Sequence, residues 1–551
     1  MGRAPFEDLW RAVAAAPDRP ALRCGDRGLT FAALRAEILR AEAGLRRRGV
    51  RAGDLVTILS LNTPETIAAF YAVDRIGAVA NWVDMKLSPA EVEGYLVRAR
   101  SKVVLVLELA FAKVYGARGQ APAEHYVVLP LGPYLDPAQA AQLGCGAWQA
   151  GPDGPACLSW AQLLAEPTGD APETDRWEEP LVITYPGGTT GPAKGVALSR
   201  RAFRSSLIQY TTARTEYGPG GSSLTLLPPF AAFGLCQCIH VPLCTGMTVI
   251  LAPLFRPHQL GALLLRYRPE QVNGTTSYWQ FLLDSPETAE ADLSFLKVPR
   301  NGGDAMAPEL ERRIDDYLRA RGCTAGLVKE YGLSEVCGIV CLNHGAARRT
   351  IGSVGLPMVG CTILAADPET GRALPPGEEG ELIVRSSTVM NGYYGAPEAD
   401  AEILRPGPDG ALWVWTKDIG HVAADGSVYV TGRRKRMISR NGFKIFPSVI
   451  EDCLLGSPLV ADCGVVAAVA PDGETRPVAF VVPAAGRTAE EVEPVLRARV
   501  KERLNEYVRP AAYLFRPSLP HTDRGKLDYR ALERQAHIPP HGTPGGPAGR
   551  R

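Results

Sequence analysis

The chain has 551 residues, 46% hydrophobic and 22% charged, with a net charge of +1. A single hydrophobic core stops growing near roughly 250–300 residues, so more than one domain is expected. The composition excludes a disordered or fibrous chain, and the charge excludes a general pull on nucleic acid or an anionic membrane.

The first residues, M-G-R-A-P-F-E-D-L-W, hold acidic groups and no apolar run, unlike a secretory signal, and position 6 lacks the Ser or Thr of a myristoylation site. Phe31 to Arg48 has helical periodicity, Leu55–Leu59 reads as a buried strand, Pro64 to Arg75 is helical again, and Val103–Leu107 is another strand. Such alternation implies βαβ units and parallel sheets with helices on both faces. Residues 115–180, rich in Gly, Ala and Pro, read as an irregular surface excursion.

Next comes T-Y-P-G-G-T-T-G-P-A-K-G-V at 184–196, directly after the apolar Leu181-Val182-Ile183. Gly187, Gly188 and Gly191 free the backbone to turn several N–H groups into one concavity, while Thr189, Thr190 and Lys194 add hydroxyls and a cation. That combination suits a polyphosphate. It is not a Walker A loop, because Gly191 is followed by Pro192-Ala193 rather than by lysine.

Leu224–Leu227, Met247–Leu251 and Gln271–Asn273 are further strand candidates. The apolar stretch near 238–255 contains His240, Pro242, Gly246 and Pro253, so it is no membrane span. Val359 to Val384 shows short alternating runs between Pro/Gly turns, which reads as a small antiparallel unit. Past the basic crossing Gly432–Arg436, Cys463–Val469 and Pro477–Val482 read as strands and Ala489 to Tyr507 as a charged helix, a small α+β domain. The tail, I-P-P-H-G-T-P-G-G-P-A-G-R-R, is expected to be disordered. No internal repeat is found.

The twelve cysteines are scattered without a C-x-x-C pair. The nearest two, Cys236 and Cys238, would sit about 6.7 Å apart on one face of a strand, at the limit for a bridge. Buried thiols in a reducing cytoplasm are expected instead. The eight histidines form no zinc-ligand spacing. Eleven of the sixty basic residues are lysines, so each retained lysine marks a position where a compact ammonium can matter.

Five motifs then fall in one order. After the glycine loop come Glu330-Tyr331-Gly332-Leu333-Ser334-Glu335, Thr416-Lys417-Asp418, Gly432-Arg433-Arg434-Lys435-Arg436, and Pro520-His521-Thr522-Asp523-Arg524-Gly525-Lys526-Leu527-Asp528. Asn301-Gly302-Gly303-Asp304, Gly352–Pro357 and Gly392-Tyr393-Tyr394 accompany them. From about residue 6 to 535 this pattern resembles the AMP-forming adenylating superfamily, and is closest in motif to its acyl-CoA synthetases.

The resemblance implies an α/β fold: a large N-terminal adenylation domain over 1–432 with parallel-rich sheets and a small antiparallel unit, then a mobile α+β lid over 433–537. It implies ATP-dependent activation of a small-molecule carboxylic acid as acyl-adenylate, with pyrophosphate released and coenzyme A as acceptor. Loop 186–195 would cradle the β- and γ-phosphates, with Lys194 among the catalytic groups. Tyr331 would lie against adenine, with Gly302, Gly303, Asp304, Glu330, Gly332 and Ser334 also in the ATP site. Asp418 would bind the ribose, with Arg433 beside it. Glu335 would ligate Mg²⁺, a hard donor for a hard cation. Lys526 would swing in toward the α-phosphate, about a hinge at Arg436. Phe230, Ala231, Phe233, Tyr278, Val336 and Cys337 would line the acyl pocket. Arg440, Gly442 and Lys444 would border the thiol path.

The chain departs from the family pattern at Pro186, where a Ser or Thr hydroxyl is usual, at Ala193, where Pro is usual, and at Lys417, where Gly is usual. Ala231 replaces a frequent histidine, which opens volume for a bulky or long apolar group. Two other readings share the motifs: adenylation with a different partner (a separate carrier protein's thiol, an amine, or nitrite activated in place of the acid), or an ATP-binding protein that has lost catalysis.

Overall fold

The computed structural model describes residues 4–117, 123–146, 148, 156–166, 176–185, 194–213, 218–343, 349–433, 436, 438–440, 443–445, 447–470, 475–504, 508–522 and 526–538. Pro186–Ala193, Arg434, Lys435, Gly442 and the terminal tail lie outside them, as do the side chains of Arg440 and Lys444.

Two large sheets dominate. The eight-stranded sheet runs Gly392–Tyr394, Gly195–Ser199, Pro180–Thr184, Val79–Trp82, Leu55–Leu59, Val103–Leu107, His125–Leu129 and Ala156–Ser159 in spatial order. Its last six strands are parallel, while Gly195–Ser199 pairs antiparallel on both sides. The apolar run Val103–Leu107 is buried at every position, as a central parallel strand must be. The second sheet has nine strands, with five consecutive parallel pairings at its centre and antiparallel strands at its two ends. The helix Pro64–Ile76 is buried at all of its residues. Its one acid near the C-terminal end, Asp74, is neutralised by Arg200 at 2.9 Å and accepts the Phe6 amide at 2.9 Å. A buried charge is tolerated only when paired in this way.

The small antiparallel unit expected around 359–384 is a five-stranded sheet, in which Cys361–Ala366 and Gly380–Ser386 are joined by Leu404–Pro406, Leu412–Val422 and Val428–Arg433. The C-terminal part carries a three-stranded sheet, Val460–Val469, Thr475–Pro483 and Ala512–Phe515, with its own apolar core around Ile450, Val465 and Leu496.

Two expectations are corrected. Residues 115–180 are not merely an excursion, since His125–Leu129 and Ala156–Ser159 extend the first sheet and Trp160–Leu164 packs as a short helix. Cys236 and Cys238 do not share a strand: Phe233–His240 is a π-helix. All twelve cysteines are free thiols. Among the described residues no helix is long and apolar enough to cross a membrane.

Candidate active site

The site forms where the ends of these sheets meet. The strand Val328–Leu333 runs into a single tight turn, Ser334–Val336, and returns as Gly338–Leu342. The return is close. A Cβ on Gly332 would lie 1.6 Å from the carbonyl oxygen of Gly338, so only glycine fits there. Cys337 at the corner adopts φ 58°, and the buried amide of Gln237 donates to its carbonyl at 2.7 Å and to Ser206 Oγ at 2.8 Å. Gln237 projects from the π-helix, a geometry that recurs at functional sites.

Two carboxylates stand beside this turn, Asp418 next to the strand that enters it and Glu335 within it. The Tyr331 hydroxyl donates to Asp418 Oδ2 at 2.8 Å, and Arg433 Nε donates to Asp418 Oδ1 at 2.7 Å. Asp418 and Arg433 are cross-strand partners, so the pair is set by register. Burial first, then the charge of Asp418, pushes the Tyr331 phenol well above its usual range and keeps it a donor. Beside them, Glu335 Oε1 accepts from the Tyr393 hydroxyl at 2.8 Å, and the Glu335 carbonyl accepts the Met390 amide at 2.9 Å. Burial and Glu335 together raise the Tyr393 phenol, which therefore also stays protonated.

Lys194, at the end of the glycine loop, places Nζ 5.2 Å from the centroid of the Tyr393 ring and 3.2 Å from Glu402 Oε2. Tyr393 thus stands between Lys194 and Glu335. Lys526 crosses from the C-terminal domain and donates from Nζ to the carbonyl of Gly303. Gly302 backs onto the Phe233 ring, where a Cβ would come within 2.9 Å of two ring atoms.

Other expected residues fall elsewhere. Glu330 turns inward: its carboxylate and the Arg300 guanidinium, both without exposed surface, form an ion pair, and Tyr210 OH donates to the same carboxylate at 3.1 Å. Burial pushes its pKa up against the pull of Arg300. Val336 and Cys337 also lack exposed surface and belong to the main core, whereas Tyr278 and Phe230 retain a little. Tyr278 meets Phe255 edge to face, with ring centroids 4.9 Å apart. Arg436 is anchored on the C-terminal side, donating to Glu451 at 2.6 Å and lying 3.5 Å from the Tyr529 ring centroid. Three contributors were not singled out by motif chemistry: Tyr393, whose G-Y-Y was noted without a role, and Gln237 and Glu402, which no local pattern marks.

The donor set suits Mg²⁺. Glu335 is a half-buried hard carboxylate with one oxygen held by Tyr393, and phosphate oxygens of a nucleotide would complete the shell. Among the described residues no three His, Cys, Asp or Glu gather to enclose an ion by themselves.

Comparison with known proteins assigns both parts of the chain to family models. The model of the AMP-binding enzyme family matches residues 9–394, and that of the AMP-binding enzyme C-terminal domain matches residues 449–526. A feruloyl-CoA synthase of an Amycolatopsis species is 30% identical over 521 residues, covering 94% of this chain and 96% of its own. A long-chain-fatty-acid–CoA ligase of Bacillus subtilis (strain 168) is 28% identical over 548 residues, covering 95% and 93%. Among solved structures, the anthranilate CoA ligase AuaEII in complex with anthranoyl-AMP matches with a TM-score of 0.84 at 22% identity, covering 97% of each chain, a likeness of fold.

Proposed function

The chain belongs to the AMP-binding enzyme family, and from that premise we propose that it is an AMP-forming acid–CoA ligase for a bulky or long apolar carboxylic acid. In the first half-reaction a carboxylate oxygen attacks the α-phosphorus of ATP. The new O–P bond forms as the bond to the bridging oxygen breaks, and pyrophosphate leaves with the electron pair. In the second, the CoA thiol gives up its proton to solvent and its sulfur attacks the acyl carbon; the C–S bond forms, the C–O bond breaks, and AMP departs with the electron pair.

The residues divide the work. Asp418, oriented by Tyr331 and Arg433, binds the ribose hydroxyls, and the Tyr331 ring lies along the base near Gly302, Gly303, Asp304, Gly332 and Ser334. Lys194 meets the terminal phosphates together with the loop that precedes it. Glu335, held by Tyr393, would ligate Mg²⁺. The chemistry that Mg²⁺ supplies when bound is neutralisation of charge on the phosphates. Lys526 places a compact ammonium at the reacting carboxylate and α-phosphate, where preorganised charge counts most. Glu330 holds the strand beneath these contacts. Phe230, Ala231, Phe233 and Tyr278 border the acyl group.

The observation that supports this reading is the reach of Lys526 Nζ from the C-terminal domain to the carbonyl of Gly303. The domains divide at 432/433, the unit 433–537 acts as a lid turning about Arg436, and in its other orientation Arg440, Gly442 and Lys444 line the thiol path. Pyrophosphate release with ATP, Mg²⁺ and a panel of acids tests the first half. Product mass after adding CoA, a carrier protein or an amine tests the second. A CoA thioester of an aryl or long-chain acid is expected. Failure to release pyrophosphate with any acid, or a product formed only with the carrier protein or the amine, overturns the reading.

A further inference from the structure

Residues 416–418 leave the regular ladder of the five-stranded sheet. Ile383 pairs with Trp415 and Glu381 with Ile419, so the single residue Leu382 faces Thr416, Lys417 and Asp418. The bulge is tied in place: Thr416 Oγ1 donates to the Leu382 carbonyl at 2.7 Å, the Lys417 amide to Glu381 at 2.9 Å, and the Asp418 amide to Thr416 Oγ1 at 3.1 Å. Bulges re-aim side chains, and this one sends neighbours to different partners. Asp418 meets Tyr331 and Arg433, while Lys417 meets Glu402.

Lys417 adopts φ 62°, a left-handed conformation in which a side chain is penalised and glycine is not. Few lysines occur in this chain, yet one stands at this strained position. Its Nζ lies 3.1 Å from Glu402 Oε2, and Lys194 Nζ lies 3.2 Å from the same oxygen. Lys417 first, then Lys194, holds the Glu402 carboxyl below its usual range. Two ammonium groups from segments more than two hundred residues apart thus converge on one anionic oxygen.

We propose that Lys417 and Lys194 form a two-ammonium clamp for the terminal phosphates of ATP, with the Glu402 carboxylate occupying the clamp when no nucleotide is bound. The inference rests on the reading of Lys194 as the phosphate-facing lysine. A polyphosphate carries more charge than one exposed carboxylate and displaces it. The bulge then serves both ends of the nucleotide, with Asp418 at the ribose and Lys417 at the phosphates. The added cation also offsets the hydroxyl that Pro186 removes from the start of the glycine loop.

Calorimetric titration of the full-length protein with a non-hydrolysable ATP analogue plus Mg²⁺, and separately with AMP, tests this without requiring turnover. Lys417→Gly keeps the left-handed backbone and removes the charge. The analogue should bind about tenfold more weakly, the scale for one charged hydrogen bond, while AMP binding stays within about twofold because AMP lacks the terminal phosphates. Glu402→Gln should tighten the analogue several-fold and leave AMP unchanged, and Lys417→Arg should retain most of the wild-type affinity. Unchanged analogue affinity in Lys417→Gly overturns the clamp, as does equal weakening of both nucleotides, which would mean that Lys417 acts only through Asp418. A wild-type protein that binds neither nucleotide would overturn the proposed function itself.

Discussion

The inner and outer ends of the Glu330–Glu335 segment place one kind of side chain in two environments. At the inner end, the Glu330 carboxylate is sealed against Arg300 and Tyr210. At the outer end, Glu335 is half-buried and accepts the Tyr393 hydroxyl. Breaking a buried pair leaves its partner charge uncompensated, at about 3–5 kcal/mol. A rim carboxylate contributes about 0–1 kcal/mol to the fold and remains open to meet a cation. One motif therefore combines a group that fixes the strand with a group that the strand presents.

Substitutions should separate the two. Glu330→Ala should lower unfolding stability by about 3–5 kcal/mol, read from denaturant midpoints. A stable Glu330→Ala protein with selectively lost nucleotide binding would break the contrast. Glu335→Gln should keep its stability within about 1 kcal/mol. Its Mg²⁺-dependent pyrophosphate release should fall by roughly two orders of magnitude, the scale for losing an electrostatic stabiliser. Near-wild-type turnover would remove Glu335 from the metal.

A second buried carboxylate sharpens the comparison through pH. Glu65 accepts the Tyr134 hydroxyl at 2.7 Å, and burial pushes its pKa up to about 7 from 4.5. The folded chain therefore holds this proton more tightly than the unfolded chain does. The contribution is fully present below pH 4.5 and is lost as pH rises to about 7, at no more than about 1.4 kcal/mol per pH unit. Glu65→Gln should flatten that part of the stability profile. An unchanged slope would contradict the assignment.

Much of this was legible in the sequence where a pattern is local. Leu55–Leu59 and Val103–Leu107 were readable because apolar runs of strand length have one stable use, inside a parallel sheet. Tyr331, Asp418 and Arg433 were readable because each sits in a motif, and the structure brings all three together. The strand Ala156–Ser159 was hidden by its brevity and its Pro/Gly-rich flanks. The π-helix Phe233–His240 was hidden because an apolar run shows its hydrophobicity but not its period. The inward turn of Glu330 depends on Arg300 and Tyr210, and the meeting of Lys194 with Glu402 spans 208 residues; neither leaves a local trace.

The central claim is that the C-terminal lysine serves adenylation alone, and separate assay of the two half-reactions of Lys526→Ala tests it most directly. Acyl-adenylate formation should slow by roughly two orders of magnitude or more, a rise of about 3 kcal/mol or more in activation free energy, as on loss of a key oxyanion donor. The same protein, given presynthesised acyl-adenylate and CoA, should still complete the transfer at a substantial rate if, as proposed, the lysine contacts the phosphate in only one orientation of the lid. Equal loss of both half-reactions would contradict the account and leave Lys526 a role in folding or in nucleotide binding at large.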